Sequence, residues 1–200
     1  MIRAVVFDLD GVLRHFDPTH VARIEADHGL PAGSIHGAAF AAPRLEAVTT
    51  GRISRADWVR SVGEQLGSPQ AADAWGRHPS TPDEEMLALS DDLRSCGIRT
   101  AILTNGTDTI PAELRGLGID TRVDAVFNSA EIGYAKPDPR AFRHVLEALA
   151  VEPREAFFTD DSAAKLTGAI ELGMFTHHFT GIDAVRTALR DAGVPQPVIS

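Results

Sequence analysis

Cysteine is nearly missing from this 200-residue chain: Cys96 is the only one. No disulfide can form within the chain, which fits a reducing compartment. The single thiol precedes Gly97 at an expected helix end and reads as a small buried filler rather than a nucleophile. Basic charge is in deficit. Nineteen lysines and arginines stand against 28 aspartates and glutamates, giving a formal net charge of −9. That excludes a sequence-independent grip on nucleic acid, which needs a cationic surplus. An anionic ligand must instead be met by a few locally placed cations. Long apolar runs are missing too, so no segment reads as membrane-spanning. The first strand pattern begins at Arg3 with no leader ahead of it, and the expected location is cytoplasmic.

What is present suits a globular domain with a modest insert, at 44% hydrophobic and 24% charged residues. Strand patterns recur at Arg3–Asp8, Arg99–Thr104, Val123–Asn128, Ala156–Asp160 and Met174–His178. Helical patterns alternate with them at Pro82–Cys96, Thr109–Leu117, Pro139–Ala150, Ala163–Leu172 and Ile182–Ala192. This alternation predicts an α/β fold: a Rossmann-like parallel sheet flanked by helices, with strand order 3-2-1-4-5. The segment Arg14–Thr81 breaks the rhythm. It shows helical patterns at Val21–Glu25, Ala38–Val48 and Ala56–Leu66, and no comparable strand. The expected organisation is a catalytic core, 1–13 and 82–200, with an inserted all-helical cap, 14–81. The tail Val194–Ser200 holds two prolines and is expected at the surface.

The chemistry gathers at strand ends. The run Ala4-Val5-Val6-Phe7-Asp8-Leu9-Asp10-Gly11 is a buried strand that emits two carboxylates at its carboxyl end. Alternation directs Asp8 and Asp10 to one side, at the edge where open parallel sheets bind ligands. The second strand ends in Thr104-Asn105-Gly106, the third is followed by Lys136-Pro137, and the fourth ends in Asp160-Asp161. Singly, each has a plain structural alternative: a turn, a surface lysine beside a Pro-fixed bend, a helix cap. Together they bring four carboxylates, a hydroxyl, an amide and one lysine to one place. Such an excess of negative charge calls for a divalent cation. The oxygen donors suit Mg2+, and no Cys or His has the spacing for zinc.

These motifs resemble those of the haloacid dehalogenase superfamily. Phe7-Asp8-Leu9-Asp10-Gly11-Val12-Leu13, Leu103-Thr104-Asn105-Gly106, Ala135-Lys136-Pro137-Asp138-Pro139 and Phe158-Thr159-Asp160-Asp161 match its four motifs, with Gly168-Ala169 and Gly173-Met174 behind them. The insert resembles the helical cap of its phosphatase subgroup. The resemblance implies Asp8 as nucleophile, forming an aspartyl-phosphate, and Asp10 as the acid and base. It implies Thr104, Asn105 and Lys136 as phosphate-binding groups. It places Mg2+ among Asp8, the backbone carbonyl of Asp10, Asp161 and, through water, Asp160. Dehalogenases of the superfamily lack an acid at the place of Asp10, so its presence implies phosphoryl transfer to water from a small phosphorylated metabolite. A phosphomutase, or a catalytically weak binding or regulatory protein, are the alternatives. A monomer or small homo-oligomer is expected, with no membrane or nucleic-acid partner.

One position departs from the pattern. Where relatives often carry Asn or Asp a turn after the paired acids, this chain has Lys165, read as snorkelling outward; the alternatives are a second cation that binds substrate or one that displaces the usual partner of Lys136. Within the insert, Arg14, His15, Arg44 and Arg52 are the candidate substrate-specificity residues. Trp58 and Trp75 read as packing residues.

Overall fold

The computed structural model describes residues 1–194. The expected surface tail therefore lies outside the described residues, apart from Val194. That residue is buried in the core instead, where it packs with Leu189 and Val185.

The strands are β1 (Ala4–Phe7), β2 (Arg14–Phe16), β3 (Ser80–Pro82), β4 (Arg99–Thr104), β5 (Ala125–Asn128), β6 (Ala156–Asp160) and β7 (Phe175–His178). Five of them form one parallel sheet in the order β5-β4-β1-β6-β7, the predicted arrangement. The helices of the core are Glu84–Ser95, Ile110–Leu117, Pro139–Ala148, Thr167–Leu172 and Ile182–Asp191, where periodicity placed them except that the segment expected to start at Ala163 is α-helical only from Thr167. β1 lies at the centre, buried on both faces. Val5 and Phe7 pack with Met86, Leu89, Leu93, Ile110 and Leu189 on one side. Ala4 and Val6 pack with Ala141, Phe142, Val145 and Phe158 on the other. Period-two alternation thus becomes a three-layer sandwich with the ends of β1, β4 and β6 side by side.

The insert holds five helices: α1 (His20–Asp27), α2 (Ser34–Ala39), α3 (Arg44–Thr49), α4 (Arg55–Leu66) and α5 (Pro69–Gly76). The single helix expected over Ala38–Val48 is two, because Pro43 lacks the N–H needed to continue α2. The helix α5 is not among those expected for the insert. Ser68 caps it and Pro69 opens it, a start signal rather than a stop. Ser54 caps α4 by accepting from the Asp57 N–H, with its hydroxyl bonded to the Asp57 carboxylate. Trp58, Val62, Ala38, Val48 and Ala72 form a small separate core, and the Trp58 indole N–H donates to the Ala39 carbonyl at 3.0 Å. The insert is not wholly helical. Its two ends pair as an antiparallel ribbon, Arg14 opposite Pro82 and Phe16 opposite Ser80. Three-residue strands have too little pattern to show in a sequence.

Candidate active site

Asp8 directly follows β1 and is 2% exposed. Its Oδ1 accepts from the Leu9 N–H at 2.7 Å and from Lys136 Nζ at 2.7 Å. Its Oδ2 is buried and accepts no hydrogen bond. Lys136 reaches this point with a fully buried side chain, lying 5.2 Å from the Phe158 ring centroid. The same ammonium donates to Asp160 Oδ2 at 2.7 Å. Asp160 ends β6 and also accepts from the Ser162 N–H at 2.8 Å. Burial pushes the Asp160 carboxyl upward, and Lys136 pulls against that shift.

The Lys136 loop is clamped by Asn105. The amide nitrogen of Asn105 donates to the Lys136 carbonyl at 2.8 Å, and its amide oxygen accepts from the Lys136 N–H at 2.7 Å. The side chain is engaged at both ends with this backbone, so it positions the lysine. Thr104, at the end of β4, is buried beside it.

Oxygen atoms of Asp8, Asp160 and Asp161 lie within 4.8 Å of one another. Gly11 lets Asp161 come close. Its φ of +85° favours glycine, and a Cβ there would stand 2.3 Å from Asp161 Oδ2. Three converging carboxylates, one with an orphaned buried oxygen, fit a hard divalent cation. The Asp10 carboxylate is not one of the three. Its Oδ1 accepts from Arg14 Nε at 2.5 Å.

Arg14 is 3% exposed, not a solvated cap residue. Its Nη1 donates to Glu113 Oε2 at 2.8 Å. Glu113 Oε1 in turn accepts from Arg55 Nη1 at 2.5 Å and from the Thr109 hydroxyl at 2.6 Å. Burial opposes the charges of Arg14 and Glu113. Their mutual contacts, with Asp10, Thr109 and Arg55, outweigh it: Arg14 moves up and Glu113 down. Arg55 also donates to the Gly76 carbonyl, while its backbone N–H donates to Asp108. Neither Arg55 nor Glu113 stood out in the sequence, since both sit in ordinary amphipathic helices.

The other insert residues divide. His15 pairs with Asp83 at the joint, 2.7 Å apart. Arg44 bonds to the Ala38 carbonyl and Gln65, inside the insert. Arg52 pairs with Glu46 and lines a cleft of about 370 Å³ with Thr50, Tyr134 and Arg140, beside the Lys136 loop. The backbone of Gly51 packs on the core there, where a Cβ would meet the Ala130 carbonyl at 2.1 Å.

Lys165 corrects the outward reading. The segment begins as a 3-10 turn, Ala163–Leu166, not as the α-helix assumed. Its Nζ lies 3.6 Å from Asp8 Oδ2 and 3.9 Å from Asp160 Oδ1. Burial opposes its charge, but Asp8, Asp160, Asp161 and Asp10 raise it above the ordinary lysine value.

Comparison with known proteins gives the family. The family model for haloacid dehalogenase-like hydrolases matches residues 2–173, and the chain belongs to that family. A phosphatase of Mycobacterium tuberculosis is 30% identical over 186 residues, covering 86% of this chain and 85% of that protein. Bifunctional epoxide hydrolase 2 of Sus scrofa is 30% identical, covering 95% of this chain but 38% of that protein. Acyl-CoA dehydrogenase family member 10 of Mus musculus is 28% identical, and the chain spans only 18% of its length. A solved enzyme of the family from Bacteroides thetaiotaomicron, in complex with magnesium and inorganic phosphate, superposes with a TM-score of 0.77 at 25% identity. The match covers 94% of this chain and 99% of that one. No helix among the described residues is long and apolar enough to cross a membrane.

Proposed function

We propose that this hydrolase is a Mg2+-dependent phosphatase that cleaves a small phosphomonoester through an aspartyl-phosphate on Asp8. The observation that carries the reading is Asp8 itself. It is a buried carboxylate with one oxygen pinned by Lys136 and the Leu9 N–H and the other left open. The phosphatase relative and the phosphate-bound solved structure support it.

In this reading a carboxylate oxygen of Asp8 attacks phosphorus, and the bond to the leaving oxygen breaks. Asp10 hands a proton to that oxygen, then takes one from the water that attacks the aspartyl-phosphate. The second attack breaks the bond between Asp8 and phosphorus and frees inorganic phosphate. Lys136 keeps Asp8 oriented and offsets charge gathering on the phosphoryl oxygens. Thr104, whose side chain ends the strand next to β1, would donate to one of these oxygens, while Asn105 acts by holding Lys136. Asp8, Asp160 and Asp161 would hold Mg2+, with the Asp10 carbonyl. Bound there, Mg2+ would supply positive charge to the phosphoryl group.

The core addresses only the phosphoryl group, so the rest of the substrate must be read elsewhere. The cleft of Arg52, Tyr134 and Arg140 lies between insert and core; Glu46 and Asp138 line it too and pair with the two arginines, so its charges balance and it suits a polar leaving group. A panel of phosphorylated metabolites with Mg2+, followed by phosphate release, tests the proposal. Release must be absent in Asp8→Asn, and acid-quenched wild-type protein must carry acyl-phosphate. Failure of every ester in the panel and of a generic aryl phosphate would overturn it.

A further inference from the structure

The sequence contains two lysines, Lys136 and Lys165; its other Lys/Arg residues are all arginine. Both lysines point at the carboxylates of Asp8 and Asp160. They do so in different ways. Lys136 is fully buried and makes two bonds of 2.7 Å. Lys165 is 33% exposed and stands at 3.6 and 3.9 Å, beyond hydrogen-bond reach. One lysine is fixed; the other is held by charge alone, on a flexible stem with solvent beside it. What it faces is Asp8 Oδ2, the buried oxygen that accepts no hydrogen bond. That atom belongs to the carboxylate set able to hold a metal.

We propose that Lys165 is a tethered counter-cation: it neutralises the carboxylate cluster while no metal is bound and must swing toward solvent when Mg2+ enters. The inference rests on the reading that Asp8, Asp160 and Asp161 hold Mg2+. A monovalent ammonium and a divalent ion cannot share Asp8 Oδ2 without repulsion. Lys165 therefore lowers Mg2+ affinity and stabilises the metal-free protein. At this separation, well inside a Debye length of about 8 Å, the effect survives physiological salt.

The test is calorimetric titration of the full chain with MgCl2 alone, for wild type, Lys165→Met and Lys165→Arg, alongside melting curves in EDTA. Lys165→Met should bind Mg2+ about tenfold more tightly. It should also melt below wild type in EDTA, with the gap closing at saturating Mg2+. Lys165→Arg should behave like wild type in both measurements. Arg60→Met, which removes an exposed cap charge, should leave Mg2+ affinity unchanged. If Lys165→Met does not fold, Lys165→Gln carries the same test. Equal or weaker Mg2+ binding by the neutral variant would overturn the role of Lys165 while leaving the metal site standing. Absence of Mg2+ binding in wild type and variant alike would overturn the metal reading, and this inference with it.

Discussion

Lys136→Met should cost the protein more stability than any other single change at the site. The ammonium is fully buried and donates to Asp8 and Asp160, whose side chains are 2% and 0% exposed. Methionine fills much the same volume but leaves two buried carboxylates facing each other. Breaking a buried pair from one side costs about 3–5 kcal/mol. Lys165, already 3.6 and 3.9 Å from these acids, can close in and hold the loss near 3 kcal/mol, the low end of that range. For a chain of this size each kcal/mol lowers the melting temperature by about 2–4 °C, so the expected drop is about 6–12 °C. The assay is thermal unfolding by circular dichroism in EDTA, repeated with saturating Mg2+. Added metal should recover part of the loss, because binding to the folded state stabilises it. Adding Asp160→Asn to Lys136→Met should also recover part, since one uncompensated charge is gone. A melting temperature within about 2 °C of wild type, or a double variant no more stable than the single one, would refute the electrostatic argument.

Asp8→Asn should abolish turnover of an aryl phosphate while keeping the wild-type fold, because the amide is a poor nucleophile of nearly the same shape; measurable wild-type rates in the folded variant would reassign the nucleophile. Glu113 is held below the ordinary glutamate value of 4.5 by Thr109, Arg14 and Arg55, against the opposing effect of burial. A depressed folded value stabilises above the unfolded value and is lost as pH falls through the folded one. Glu113→Gln should therefore be less stable than wild type at neutral pH and lose less on acidification below pH 4.5; parallel urea-unfolding profiles for the two proteins would contradict this. Gly51→Ala should lift the insert from the core, since its Cβ would stand 2.1 Å from the Ala130 carbonyl and φ there is +72°. Its expected signature is a raised KM for larger phosphate esters with a smaller change for a generic aryl phosphate.

The core was legible because its strands are apolar runs with polar ends. Asp8, Thr104, Lys136, Asp160 and Asp161 each mark the end of an element or the turn after it, and parallel pairing brings these ends together whatever the loops do. The insert was less legible. Its helices are short, their apolar faces are narrow, and Pro43 and Pro69 act in opposite senses, one ending a helix and the other starting one. Side-chain direction was the least legible feature of all. Lys165 turns inward because its segment starts as a 3-10 turn, and a tighter turn rotates every side chain in it. Arg14 stood as a candidate for reading the substrate, and its buried ion pairs were not legible because a buried arginine needs partners far along the chain. Glu113, 99 residues away, cannot be assigned to it from pattern alone.

That arginine sets how the two parts of the molecule act on each other. Asp10, Arg14, Glu113 and Arg55 form a chain of alternating charge drawn from the loop after β1, from β2, from the helix Ile110–Leu117 and from α4. The four charges cancel, and each inner member, Arg14 and Glu113, is shared between two partners. If α4 moves off the core, Glu113 loses Arg55 and keeps Arg14 and the Thr109 hydroxyl. The pull of Arg14 is then redistributed between Glu113 and Asp10. Hydrogen bonds to charged groups contribute about 1.5–3 kcal/mol each when sheltered, and less where, as at Arg55, water reaches them. An energy of that size is ample to bias the direction of a half-exposed carboxylate such as Asp10, whose side chain is 45% exposed. The seat of the insert and the aim of Asp10 thus share one ion-pair network. Through Arg55, Glu113 and Arg14, α4 is linked to the group proposed to protonate the leaving oxygen.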